Sequence, residues 1–292
     1  MGQNEEGQHK MRITEAQKAA LKTLRCERLS DNEKNFRLID DFENHRNDNI
    51  ADSFRNEAYK QDEERRVAYY VVKDKENRIL FFFSLKCGAL FDRFLEAEKL
   101  VKITQLLNFI KERAKSGTDV EESEAINSLI EEARSKKIIK KDIVAKILHR
   151  SSLDKDLDEI FDENIKSVGH AYAGIELVHF CANDKFQNVW EEMALPQSMG
   201  VVVFWHFIVP IVEKLMHLVG CEYLYLFAAD MTENLDLISY YIDRLKFCDD
   251  TQHTVAKPLY DFACKFLYQE TKDLSEKRIH FFNHFNPDKD AV

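Results

Sequence analysis

The rhythm of apolar and polar positions changes several times along the chain. Over residues 15–59 charged positions are interrupted by spaced apolar ones (Leu21, Leu24, Phe36, Ile39, Phe42, Phe54), the pattern of amphipathic helices and their connections. Residues 67–73 (VAYYVVK) and 79–85 (ILFFFSL) are dense in β-branched and aromatic side chains, and the DKEN between them reads as a tight polar turn, so a hairpin is expected. From Phe91 to about Ser167 helical spacing returns in long charged segments, with three or four helices predicted from groups such as Leu100, Ile103, Leu107 and Ile110. Ser116–Asp119 would separate the first pair, and Ser151–Ser152 suits a helix N-cap.

Beyond His170 the pattern becomes strand, helix, strand, helix, strand. Residues 175–182 (IELVHFCA), 221–229 (CEYLYLFAA) and 260–268 (YDFACKFLY) are the strands; 201–219 and 234–245 are the helices. That order predicts an α/β (α+β) domain, a mixed central sheet flanked by helices, with residues 93–166 as an all-helical insertion between the third and fourth strands of a single domain over 1–292.

Composition narrows the field. The 292 residues suffice for a sizeable core, and 45% hydrophobic content with 21 phenylalanines excludes a disordered chain. A formal charge of −10 disfavours broad binding to nucleic-acid phosphates. The six cysteines are scattered and form no CxxC pair, as expected of reduced thiols in a cytoplasmic protein, and no metal site is called. The start of the chain has no apolar leader, and the longest apolar run, 201–212, is short for a membrane span, so no membrane association is expected. Walker A and GxGxxG loops are absent, as are GxSxG and a Cys-His nucleophile pair. His280 and His284 have the spacing of metal ligands on a helix but no third ligand nearby, which favours a polar tail.

Three segments carry chemistry in a fixed order. Gln197-Ser198-Met199-Gly200-Val201-Val202 opens an apolar helix, where unpaired N–H groups attract phosphate. Before it lies the strand Leu177–Ala182; after it come 220–227 and then Asn234, Leu237, Ile238, Tyr240 and Tyr241, closed by Leu245-Lys246-Phe247. This ensemble resembles the GNAT N-acetyltransferase superfamily, with residues 25–90 weakly similar and 176–269 more so. Val202 stands where that family has Gly or Ala, Lys246 stands where Gly is common, and one extra residue precedes Leu245.

The resemblance implies an acyl-CoA-dependent N-acyltransferase, with acetyl-CoA as acyl donor, no metal, and direct attack by an unidentified amine. It implies backbone contacts to pantetheine from Phe180, Cys181 and Ala182, diphosphate binding by Gln197, Ser198, Met199, Gly200, Val201 and Val202, and a cofactor contact from Asn234. Asn234 and Tyr241 are seven residues apart and are expected on one helical face. Tyr241 matches the family's general acid, a phenol able to protonate the leaving thiolate; its bland alternative is a core tyrosine. Glu176 is the candidate base and His179 the next, each against the reading of an ordinary strand residue. The rival function is a catalytically degenerate acyl-CoA-binding or protein-interaction module, with the insertion as a partner or self-association surface.

Overall fold

The computed structural model describes residues 11–92, 171–230, 232–249, 253–255 and 264–287. The helical insertion expected over 93–166 lies outside them, as does the start of the strand expected at 260. The chain divides into two compact units. The second comprises residues 90–171 and 251–256, and within it Leu90, Phe91 and Asp92 pair antiparallel with Val255, Thr254 and His253.

The first unit carries a mixed sheet in the order β1-β2-β3-β4-β5-β7, from β1 (Arg25–Arg28), β2 (Ala68–Lys73), β3 (Ile79–Asp92), β4 (Ala171–Ala182), β5 (Tyr223–Ala228) and β7 (Lys265–Glu270); β6 (His253–Val255) is the strand of the second unit. The hairpin β2–β3 forms as its alternation predicts, Ala68 opposite Leu85 and Val72 opposite Phe81. Its turn is closed by Asp74, whose carboxylate accepts from the N–H groups of Glu76 and Arg78 at 2.9 Å, and Asn77 takes the positive φ of 67° that asparagine tolerates. The edge strand β1 was not expected: RCER is too short and too polar to alternate. It pairs with β2 from Arg25–Lys73 to Arg28–Tyr70.

Both sheet faces are covered, which is why β3 can carry three consecutive phenylalanines. Phe81 and Phe83 enter one core and Phe82 the other. The smaller core packs α2 (Asn35–Leu38) and the helix α3 against Tyr69, Val71 and Phe82; α3 runs through Asp48–Ser53, a π turn Phe54–Ala58 and Tyr59–Glu63. The larger core packs α1 (Glu15–Leu21), α5 (Met199–Leu218), α6 (Asp236–Ser239 continued by the turn Tyr240–Arg244) and α7 (Leu274–Asn283) on the opposite face. α4 (Gln187–Glu192) adds Val189 and Trp190. Trp205, Phe204 and Phe247 are fully buried in it, each side chain stabilising the fold by roughly 2 kcal/mol or more.

In α5 the residues Phe204–Ile208 form a π turn, and Pro210 follows one residue later as the second residue of the next α segment. The extra residue of the π turn absorbs the missing N–H and the ring clash that proline would impose on a regular helix. At 20 residues, Met199–Leu218 meets the length and apolar content of a membrane span, more than the run 201–212 suggests by itself. Half of it is buried, with Val201, Val202, Phe204, Trp205, Ile208, Val209 and Val212 facing the core.

Candidate functional site

β4 and β5 run parallel, and their register covers three pairs: Gly174–Tyr223, Ile175–Leu224 and Glu176–Tyr225. Pairing then stops, although β4 continues to Ala182 and β5 to Ala228. The two strands therefore part as a fork whose apex is Glu176 and Tyr225. Each limb is held from its outer side. β5 stays paired with β7 as far as Ala228–Lys265. The end of β4 is fixed by Asn183, whose N–H donates to the Leu80 carbonyl at 2.8 Å and whose side-chain amide donates to the carbonyls of Ile79 and Asp41.

Along β4 the faces slip by one residue. Ile175 and Leu177 belong to the larger core, and so do Phe180 and Ala182, whereas Cys181 lies in the smaller core. A strict period of two cannot place 177 and 180 on one side, so the strand carries an irregularity of the bulge type between them. The slip sits in the unpaired limb, the stretch assigned from sequence to pantetheine. Phe180 turns its ring toward the larger core and toward Gly200. The Cys181 thiol is pushed up to about 12, first by burial and then by Asp184, so it stays protonated. The Ala182 carbonyl already accepts from the Asn44 side chain at 3.3 Å.

The helix opening matches its sequence signature only in part. Ser198 is the N-cap of α5 in extended conformation, and its side chain caps no helix N–H. The N–H groups of Met199, Gly200 and Val201 donate to no acceptor among the described residues. The Val202 N–H does donate, to the Ser198 carbonyl at 3.1 Å, and its side chain is wholly buried in the larger core. Three amides are thus open rather than four. Gln197 is a brace: its Nε2 donates to the Phe285 carbonyl at 2.7 Å and its Oε1 accepts from the Arg244 guanidinium at 2.8 Å. Trp190 Nε1 donates to the Gln197 carbonyl at 3.2 Å. Behind this brace lies a cavity of about 600 Å³ lined by Trp205, Arg244, Lys277, His280 and His284 among others.

Tyr240 has a place that the sequence did not reveal. A Cβ added to Gly200 would stand 2.5 Å from its hydroxyl. Burial first, against the opposing effects of Ser198 and Arg244, raises it to about 12. Tyr241 beside it is buried, its ring 6.3 Å from Phe180 and 6.1 Å from Phe247; burial, then Tyr240 and Cys181, raises its phenol so that it remains protonated. Both tyrosines begin the π turn Tyr240–Arg244 that follows Asp236–Ser239 in α6, and this turn takes up the extra residue noted before Leu245. The helix starts only at Asp236, so Asn234 is exposed outside it and does not share a helical face with Tyr241. Lys246 has φ of 66°, the left-handed conformation that glycine adopts without strain.

On the other face, Glu176 accepts from the Tyr225 hydroxyl at 3.4 Å, and burial followed by the Glu176 charge raises Tyr225. His179 lies on this face too: its Nδ1 is 2.7 Å from Ser84 Oγ and its ring stacks on Tyr69 at 5.5 Å. Burial lowers its pKa to about 4. His280 and His284, expected in a polar tail, belong to the last turn and C-cap of α7 and stack at 4.2 Å. Among the described residues no group of three metal-ligating side chains occurs.

No known protein family matches the sequence, and no curated protein does. Solved structures do align with it. A tyrosine-to-phenylalanine variant of KacT has a TM-score of 0.46 at 13% identity, over 87% of this chain and 99% of that one. A bacterial toxin gives 0.47 at 10%, over 88% and 96%, and AtaTR bound with AcCoA gives 0.44 at 12%, over 88% and 98%.

Proposed function

We propose that the chain is a GNAT-type N-acyltransferase that takes acetyl-CoA, or a related acyl-CoA, as donor and an amine as acceptor. The observation that carries this reading is the fork between β4 and β5, together with the open amides of Met199, Gly200 and Val201 on the larger-core face. A strand edge without a partner can pair with the amides of pantetheine, and a helix mouth with free N–H groups suits the diphosphate. The Arg244 guanidinium next to Gln197 adds positive charge near that mouth.

In this reading Phe180, Cys181 and Ala182 offer their backbone to the pantetheine arm, and Ser198 to Val201 receive the diphosphate. Tyr241 donates a proton to the departing thiolate; its raised pKa keeps a proton available at neutral pH. Glu176, at the apex of the fork, accepts the proton of the incoming ammonium, and the freed amine attacks the thioester carbonyl. The C–N bond forms as the C–S bond breaks, the thiolate leaves with the tyrosine's proton, and the second proton of the attacking nitrogen, acidic once that nitrogen is acylated, passes to the tyrosinate, so the one proton released overall is the one Glu176 took up.

A second reading, an acyl-CoA-binding module without catalysis, draws on the burial of Tyr241 and on the Tyr240 hydroxyl lying against Gly200. One pair of experiments separates the two. Acetyl-CoA at 100 times its Kd raises stability by about 2.7 kcal/mol in either case, read as a rise in melting temperature. Release of free CoA with a panel of primary amines occurs only for the enzyme. Absence of any melting shift removes both readings.

A further inference from the structure

His179 and Ser84 form a pair that the proposed reaction does not use. Ser84 is fully buried on β3, and the Nδ1 of His179 is 2.7 Å from its hydroxyl oxygen. A buried hydroxyl proton needs an acceptor, and among the described residues Nδ1 is the one that Ser84 has. The hydroxyl therefore donates to Nδ1, and a neutral imidazole so engaged carries its own proton on Nε2. The ring is fixed as well as tautomerised. It stacks on Tyr69, lies 5.9 Å from Phe82, and Tyr69 is itself anchored by its hydroxyl on Gln61 at 3.1 Å.

Nε2 has no acceptor among the described residues. His179 as a residue is half-buried rather than enclosed. Because of the slip between Leu177 and Phe180, His179 shares the face of Glu176, three residues along the strand and at most about 10 Å from it. One carboxylate at the apex and one fixed N–H donor up the limb make a two-point match for an amine that also bears an oxygen.

We infer that His179, held by Ser84 as its Nε2–H tautomer, donates a hydrogen bond to an oxygen atom of the amine substrate. Ser84 is then a positioning residue, and the substrate class is a primary amine with an ether, hydroxyl or carbonyl oxygen several ångströms from its nitrogen. The inference rests on the N-acyltransferase reading. Burial, which keeps His179 neutral down to a pH of about 4, is consistent with a donor rather than a base.

The test has two arms. Two-dimensional ¹⁵N NMR of the imidazole in the intact protein reads the tautomer without turnover: Nε2–H is expected for His179, with mixed tautomers in Ser84→Ala, and an Nδ1–H tautomer in the wild type overturns the inference. Acylation of 3-methoxypropylamine against pentylamine reads the recognition. The expected wild-type KM is roughly fivefold to tenfold lower for the ether, the worth of one hydrogen bond, with the preference erased in His179→Phe, weakened in Ser84→Ala, and acetyl-CoA affinity unchanged in both. Equal KM values for the two amines, with turnover intact, sink the inference alone. Failure of the wild type to bind acetyl-CoA sinks the transferase reading beneath it.

Discussion

The hydroxyl of Tyr225 occupies the place where a side chain on Gly88 would begin: a Cβ there would be 1.8 Å from the oxygen and 2.8 Å from the ring carbon that bears it. The phenol on β5 thus reaches back over the sheet toward β3, and on its way meets the carboxylate of Glu176. Gly88→Ala must push the tyrosine out of a packed site. A loss of about 1 to 3 kcal/mol is expected in urea unfolding, and Gly88→Ala combined with Tyr225→Leu should cost less than the sum of the single changes.

A similar argument applies to Gly200, with a different outcome. The hydroxyl of Tyr240 stands 2.5 Å from the added methyl, and Phe180 ring carbons stand 3.2 and 3.3 Å away. Gly200→Ala should lower the melting temperature and weaken acetyl-CoA binding at least tenfold, because the methyl displaces the tyrosine toward the helix mouth. Removing the hydroxyl with Tyr240→Phe relieves the closest contact, so the double variant should recover most of the stability. If it does not, Phe180 rather than Tyr240 sets the limit.

Tyr241→Phe separates chemistry from binding. Loss of a proton donor in the reacting complex is expected to reduce kcat by about 10²-fold or more, with acetyl-CoA affinity unchanged. An unchanged kcat, with the chemical step shown to be limiting, would make Tyr241 a core residue and nothing more.

Stability should fall in acid through two histidines. Burial lowers both His179 and His206 to about 4, with Arg278 adding to the effect at His206. A histidine with a depressed folded pKa leaves the unfolded chain as the better proton binder, so each contributes its full stability above about 6.5 and loses it as pH falls toward 4. Unfolding free energies from urea titrations between pH 7 and pH 4.5 should drop steeply, by about 2 kcal/mol or more, and His206→Phe should flatten that slope.

Lys246 adopts φ of 66° on the turn that ends α6. Lys246→Gly should gain about 0.5 to 1 kcal/mol, visible as a small rise in melting temperature, since the left-handed conformation costs glycine nothing.

Much of the fold was legible because it is written in local rhythm. The hairpin, the strands β4 and β5 and the long helix announce themselves through runs of β-branched, aromatic or evenly spaced apolar residues. β1 escaped because three charged residues around one cysteine at a sheet edge have no pattern of their own. The helix mouth was legible from Gln197 to Gly200, but the order in which its amides are spent was not. Asn234 was misplaced because spacing was read as if the helix were regular and complete, whereas it begins later and contains a π turn. Tyr240 over Gly200 and Ser84 beside His179 are contacts between residues 40 and 95 positions apart, and no single sequence encodes such a meeting except through the fold itself.

Asn183 has a consequence for the kinetics of ligand entry. With the tip of β4 bolted to Leu80, Ile79 and Asp41, and β5 stitched to β7 along its whole length, neither prong has to be pried loose before a guest can enter. A slot that exists beforehand exacts no reorganisation, so a pantetheine arm should dock in one bimolecular phase whose observed rate climbs linearly with concentration, without the plateau that marks a preceding opening step.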